Sequence, residues 1–365
     1  MGTENTVCPP LKQLLPESAI AIPKASWVNQ SIRGVYSAGM IVLLFAGCPG
    51  EPIETGDTAP SMSWQVVGEK LPGALLSVWG TSVDDVFVVG ADGGAGPMAY
   101  HLSGGEWAPM TGFDPGDLWW VHGGADGIWA CGASGRVFHG DENGVNIEGF
   151  VTDPAITLFG VWGPGDGTAW TVGGDVSQSS AAAQMWYYDG SSWSKVALPA
   201  EAAERIAIFK VWGASASDVW AVGGAGLSMH YDGSAWSVVD TLNSSTLLTV
   251  NDGFAVGGTN AGTILKLEGG GTVWTDESPD YAVQINGVRG GDSPVAVGMQ
   301  GSVWLRDDEG WAAAPGERPT YQDLHGVWRD PDEAIWAVGG HVSADPLIYG
   351  TLVYAGGATI PTLEN

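Results

Sequence analysis

The residues with the most chemistry to offer stand in the irregular stretches of the chain. Asp92, Asp175, Ser177, Gln178, His341 and Asp345 lie in Gly- and Ser-rich segments, and Phe113, Tyr281 and Tyr321 stand in polar connections. Carboxylates, an amide and an imidazole beside aromatic rings are equipment for holding a sugar or a peptide. A ring stacks on an apolar sugar face while amides and carboxylates bond the hydroxyls. No second His or Cys stands near His341, so it does not announce a metal site. Solvated loops with ordinary aromatics are the simpler reading of any one of these residues.

A second set is defined by exchange. His122, Asn251 and Arg289 occupy a position at which sister segments carry Trp79, Trp162, Trp212 and Trp328. Four large rings at one register position predict packing, and the three polar exchanges mark a candidate polar pocket. Arg289 either bonds Asp292 in its own hairpin or opens onto that pocket. Cys131 sits in a strand phrase where sister segments carry Val, which reads as a small buried hydrophobe rather than a nucleophile. With Cys8 and Cys48 far upstream, no disulfide framework exists. There is no Walker loop, no Gly-x-Ser-x-Gly elbow and no zinc signature, so neither a cofactor nor a metal is expected. The acidic runs Asp141-Glu142-Asn143 and Asp330-Pro331-Asp332-Glu333 lack the ligand spacing of a calcium loop.

The elements that position these residues repeat. One segment, 210–237, reads KVWGASASDVWAVGGAGLSMHYDGSAWS: a strand ending in Val211-Trp212-Gly213, a second at 219–223, a third around His230, an Asp232-Gly233 turn and Trp236. The Val of the first phrase recurs as Val78, Val121, Val161, Val211, Val250, Val288 and Val327, at spacings of 43, 40, 50, 39, 38 and 39. A four-stranded propeller blade takes about 40–45 residues. Strands of four to six residues, rich in β-branched and aromatic side chains between Gly, Asp and Ser turns, exclude helical repeats of similar period. The prediction is an all-β, seven-bladed β-propeller of four-stranded blades over 62–356, with 202–205 as the lone helical candidate.

Most periods close on a fourth strand carrying Trp107, Trp193, Trp236, Trp274 or Trp311; the second uses 145–150 instead. The seventh has none before the 357–365 tail. The missing strand stands at the other end of the chain as Ser63-Trp64-Gln65-Val66-Val67, predicting that the amino-terminal strand completes the last blade and leaves no open edge. Between their second and third strands, the third and seventh periods insert seven more residues than the fourth, and the first about four. Added length on one face is the usual mark of a ligand surface, and it holds most of the loop residues named above.

Composition sets the surroundings. The formal charge is −28 and the basic residues are scattered singly, a field that repels nucleic acid and anionic lipid headgroups. Residues 35–47 form an apolar run of signal-peptide length behind Arg33. The junction Leu44-Phe45-Ala46-Gly47-Cys48 resembles a bacterial lipobox, with Phe45 departing from the usual aliphatic residue; the resemblance implies a leader over 1–47 and lipidation of Cys48. Residues 48–61, acidic and rich in Pro and Gly, then read as a tether.

The phrase VWG…DVWAVG…YDG…W resembles the repeat of secreted bacterial propeller lipoproteins of the myxobacterial type. It is more distantly similar to tectonin-type lectins and to photosystem II assembly factor propellers. The turns at Asp189 and Asp232 resemble the Asp-box of sialidase-like propellers, one residue short; the likeness bears on fold, since a sialidase also needs an arginine cluster that this chain lacks. Together these features lead to the expectation of a monomeric, lipid-anchored module on the outer membrane or cell surface. It binds a glycan or protein through the inserted-loop face and touches the membrane only through its anchor. The contrasting expectation is a glycoside hydrolase on the same face.

Overall fold

The computed structural model describes residues 62–364 apart from 141–149, 152, 179, 272 and 344. The leader, Cys48 and the tether lie outside the described residues. From residue 62 onward the chain builds seven four-stranded antiparallel sheets, six of them in simple chain order. Neighbouring sheets meet along their innermost strands, and the last meets the first, so the sheets form a closed ring of blades around a central channel. The predicted propeller is the observed fold. Its one α-helix among the described residues is the short Ala200–Ala203, two residues earlier than the sequence suggested.

In the seventh sheet the order is Gln65–Leu71, Ile348–Ala355, Ile335–His341, Asp323–Arg329. The amino-terminal strand thus closes the ring, with Gln65 opposite Tyr354 and Val66 opposite Val353. The carboxyl terminus proves to be more than a tail. Ile360 and Leu363 are buried, the Leu363 amide donates to the Val67 carbonyl (2.8 Å), and the Trp107 indole donates to the Pro361 carbonyl (3.0 Å). Residues after 357 therefore lie across the closing strand and the first blade, covering the strand edge that closure would otherwise leave exposed. In the second blade, only Phe150–Val151 of the fourth strand expected at 145–150 falls within the described residues.

The core is divided among the seams. The cluster of Phe87, Val89, Leu118, Val121, Ile128 and Phe138, for example, joins blades 1 and 2. Each fully buried Leu or Val contributes about 1.5–3 kcal/mol, so every blade is held chiefly by its neighbours. That explains why short strands with no independent stability form at all.

One irregularity recurs in all seven innermost strands. Each pairing with the second strand shifts by one residue, between Leu75 and Ser77, Leu118 and Trp120, Leu158 and Gly160, Ile208 and Lys210, Leu247 and Thr249, Ile285 and Gly287, Leu324 and Gly326. The skipped residue is a bulge, which changes the side to which following side chains point. The seven skipped residues are Leu76, Trp119, Phe159, Phe209, Leu248, Asn286 and His325.

Candidate functional site

The bulges build a cavity at one mouth of the channel. Trp119, Phe159, Phe209, Leu248, Asn286 and His325, six of the seven bulge residues, line it with Lys210 and Gln284, and its volume is about 280 Å³. This is the inserted-loop face: Val176 from the blade 3 insertion and Val342 from the blade 7 insertion complete the wall. The rings form a continuous arc, with Phe159 5.2 Å from both Trp119 and Phe209 and Trp119 edge-on to His325 at 5.8 Å.

Lys210 forms part of the wall and is only 3% exposed. Its stem passes Gly160, where an added Cβ would stand 3.3 Å from the lysine Cδ, so glycine there keeps the path open. The ammonium donates to the Phe159 carbonyl (2.8 Å) and lies 3.4 Å from the centroid of the Trp120 ring. A cation over an indole face is stabilised by the ring quadrupole. No carboxylate among the described residues comes within ion-pair distance of it. Burial pulls the amine down to about 7.

Its neighbours carry no compensating charge. Burial pushes the Cys131 thiol up to about 12, and burial with the nearby Lys210 pulls His325 down to about 4, so both are neutral at pH 7. Neutral His325 donates from Nδ1 to the Leu76 carbonyl (2.6 Å), which leaves Nε2 as an acceptor. Asn286 is held by the Leu324 carbonyl and by the Gln284 amide, each at 2.8 Å. The site therefore offers an aromatic wall, one amine with unused donors, and the Gln284 oxygen and His325 Nε2 as acceptors.

At the opposite mouth the exchanged positions come together. Trp79, Trp162, Trp212, Trp328, His122, Asn251 and Arg289 line one small space of about 50 Å³. Three of the four Trp residues pack across seams onto the glycine of the next blade's phrase: a Cβ on Gly123 would meet Trp79, on Gly213 Trp162, and on Gly80 Trp328, all at under 3 Å. At two of the three positions where Trp is replaced, a polar contact crosses the same seam. The His122 Nε2 meets the Gly163 carbonyl at 3.1 Å, and Asn251 accepts from the Gly290 amide at 2.9 Å. Burial pulls His122 down to about 4. Arg289 forms no hydrogen bond with Asp292; it lines this space and a neighbouring cleft of about 330 Å³ shared with Trp79, Trp328 and Arg329.

The loop residues singled out by the sequence lie apart from the cavity. Asp92 accepts from the amides of Gly94, Gly96 and Gly116, so it braces two connections. Burial opposes its charge, but those bonds outweigh it and hold its carboxyl below the usual value. Asp175 accepts from the Ser177 amide and hydroxyl (3.0 and 2.6 Å), and Gln178 donates to the same hydroxyl. Phe113 packs edge-on against Phe138 at 5.1 Å, as a core ring does. Tyr281 and Tyr321 are 90% and 86% exposed, and Tyr281 borders an outer groove with Trp64 and Arg318. His341 and Asp345 are exposed in the blade 7 insertion. In both long insertions the side chain that reaches the cavity is the next one along, Val176 after Asp175 and Val342 after His341. The Asp-box-like turns are structural: the Ser234 hydroxyl, with the amides of Ala235 and Ser234, holds Asp232 down to about 2.

A streptogramin B lyase structure is similar with a TM-score of 0.62 at 8% identity, covering 80% of this chain and 97% of that one. The WD40 β-propeller domain of Doa1 gives 0.60 at 10%, covering 81% and 98%. YCF48 from Cyanidioschyzon merolae gives 0.59 at 15%, covering 80% and 98%. The likeness is one of fold alone. No family model matches the chain, and no curated protein matches it in sequence. These propellers are of diverse kinds, so the site must be read from its own residues. Among the described residues no group of His, Cys, Asp and Glu is placed to hold a metal, and no described helix is long and apolar enough to cross a membrane.

The bulge residues were the missed signal. They stand two positions before each repeat's Val, between an invariably Leu or Ile position and the next, and their types vary from Leu to His. A strand read with strict alternation assigns them to the wrong face.

Proposed function

We propose that the chain is a binding module of the cell envelope, tethered through Cys48, that recognises a surface glycan or protein at the inserted-loop mouth of its channel. The observation that carries this reading is that Val176 and Val342, from the two longest insertions, line one cavity with Trp119, Phe159 and Phe209. Rigid blades with variable loops over a preformed cavity are how scaffolds present ligand sites. Most glycoside hydrolases place two carboxyl groups about 5–9.5 Å apart across the substrate. None of the residues lining this cavity is acidic.

A second reading is an enzyme acting at the same mouth, since two titratable groups line one cavity of a fold that a lyase shares. Lys210 and His325 would be its proton-transfer groups. A glycan array with the purified chain, run beside a turnover screen with fluorogenic glycosides and quinupristin, separates the readings. Array binding that is lost in Val176→Asp supports the binding module. Turnover sinks it, and silence on the array with no turnover directs the search to a protein partner.

A further inference from the structure

We infer that the channel cavity selects a carboxylate carried on a flat apolar group, the carboxylate taken by the Lys210 ammonium and the apolar group by the Trp119, Phe159 and Phe209 rings. This deepens the reading above and rests on it. One buried charge has no carboxylate partner among the described residues. The chain holds 41 acidic and 13 basic residues, yet the buried Lys210 has no carboxylate within ion-pair distance among the described residues. A buried ammonium costs stability unless something pairs with it. One carbonyl and one ring face use part of its donor capacity, and the lysine belongs to the cavity wall.

The rest of the lining narrows the ligand. The wall is aromatic and aliphatic on the side of blades 2 to 5, so the body of the ligand is apolar and ring-shaped. The polar arc of Gln284 and His325 offers acceptors, which suits an N–H or O–H near the carboxylate. A volume of about 280 Å³ is at the lower limit for a ligand pocket, about 300 Å³, so a single-ring group fills it. The net charge of −28 repels anions from a distance. That field is screened beyond about 8 Å at physiological salt, whereas inside the cavity the nearest charge is the lysine. Two sources share the chemistry: a free aryl-alkyl acid and the last residue of a peptide with an aromatic side chain.

The charged state of the site sets its pH dependence. Cys131 and His325, the titratable groups that face Lys210, are neutral across pH 6 to 9 at values of about 12 and about 4. Lys210 alone changes charge there, at about 7 in the empty protein. Binding of a carboxylate therefore weakens as pH rises through and above that value, while binding of a neutral isostere stays flat.

The test is calorimetric titration of the full chain with four probes: 3-phenylpropionate, 3-phenylpropionamide, and a short peptide ending in Phe with a free or an amidated terminus. Each is measured at pH 6 and pH 9 and repeated with Lys210→Met. The inference expects an acid to bind at least tenfold more tightly than its amide at pH 6, a preference that shrinks at pH 9 and vanishes in Lys210→Met. Preference confined to the free acid, or to the peptide, names the source. Equal binding of acid and amide, no binding of either acid, or a preference that survives Lys210→Met overturns it. Lys210→Met is expected to melt a few degrees higher than the wild type at pH 6, which shows that the variant is folded. Failure here is separable from failure of the broader reading: an array ligand whose binding is lost in Val176→Asp keeps the mouth as the site, whereas one indifferent to Val176→Asp removes it.

Discussion

The two mouths of the channel are built from the same seven strands and differ in what they leave unfinished. At the lower mouth, Trp79, Trp162 and Trp328 cover the glycine of the next blade, and His122 and Asn251 bond across the seam where Trp is absent. The space enclosed among these side chains is about 50 Å³, with the cleft of about 330 Å³ beside it at Arg289. At the upper mouth the bulge residues range over Leu, Trp, Phe, Asn and His, the space is about 280 Å³, and Lys210, with no carboxylate partner among the described residues, belongs to its wall. On the proposed reading, the repeated position serves the ring and the varied position serves the ligand. Lower-mouth residues should govern stability, and upper-mouth residues should govern binding.

The harshest way to break this comparison is to open the ring. Deleting 62–68 removes the strand that pairs with Ile348–Ala355 and the support of Leu363 on Val67. The melting temperature is expected to fall by roughly 10 °C or more, at about 2–4 °C per kcal/mol for a chain of this order. Both mouths are lost together. An unchanged thermal scan would refute closure by the amino-terminal strand.

Next in size is Trp162→Ala at the lower mouth. Trp162 is 5% exposed and covers Gly213 in the next blade. Truncating such a ring costs about 3–5 kcal/mol, measurable by urea unfolding, with ligand affinity at the upper mouth unchanged among the molecules that remain folded. A variant as stable as the wild type would mean the lower ring is not the seam it is taken for.

Lys210→Met sharpens the contrast with the opposite sign. Replacing the unpaired buried charge should stabilise the protein at pH 6, by about 1–4 kcal/mol in keeping with other buried charges exchanged for apolar residues. The sign with pH follows from linkage. Lys210 is pulled down to about 7 in the folded protein from 10.5, so between those values the unfolded chain binds the extra proton. The wild type then gains stability relative to Lys210→Met as pH climbs from about 7, and the gap closes toward pH 10.5. Unfolding curves at several pH values decide it; a gap that does not narrow contradicts the placement of the lysine.

The fold was legible in the sequence because seven phrases in one register leave few alternatives, and the strand missing after Val353-Tyr354 had only 63–67 to supply it. The lower mouth was legible for a similar reason, since an exchange such as Trp for His122 is visible against its sisters. The upper mouth was hidden by the bulges. They place Phe159, Phe209 and His325 in the channel out of phase with strict alternation. Lys210 read as one more scattered base because nothing in one dimension shows Gly160 clearing its path to Trp120. The insertions stand out by length, and their polar residues draw the eye, whereas a cavity walled by rings takes the apolar neighbours. Phe113 reads as an exposed ring in the sequence, where its edge-on contact with Phe138 leaves no trace.

The central claim is that ligands enter at the upper mouth, and its most direct measurement is the affinity of an array-identified ligand for the wild type and for the Val176→Asp/Val342→Asp double variant. Val176 is 51% exposed, and Val342 stands with it at the rim of the cavity. Exposed substitutions usually shift stability by no more than about 0.5 kcal/mol, so the two proteins should melt together. The account predicts at least a tenfold loss of affinity at an unchanged melting temperature. Undiminished affinity in the double variant would contradict it.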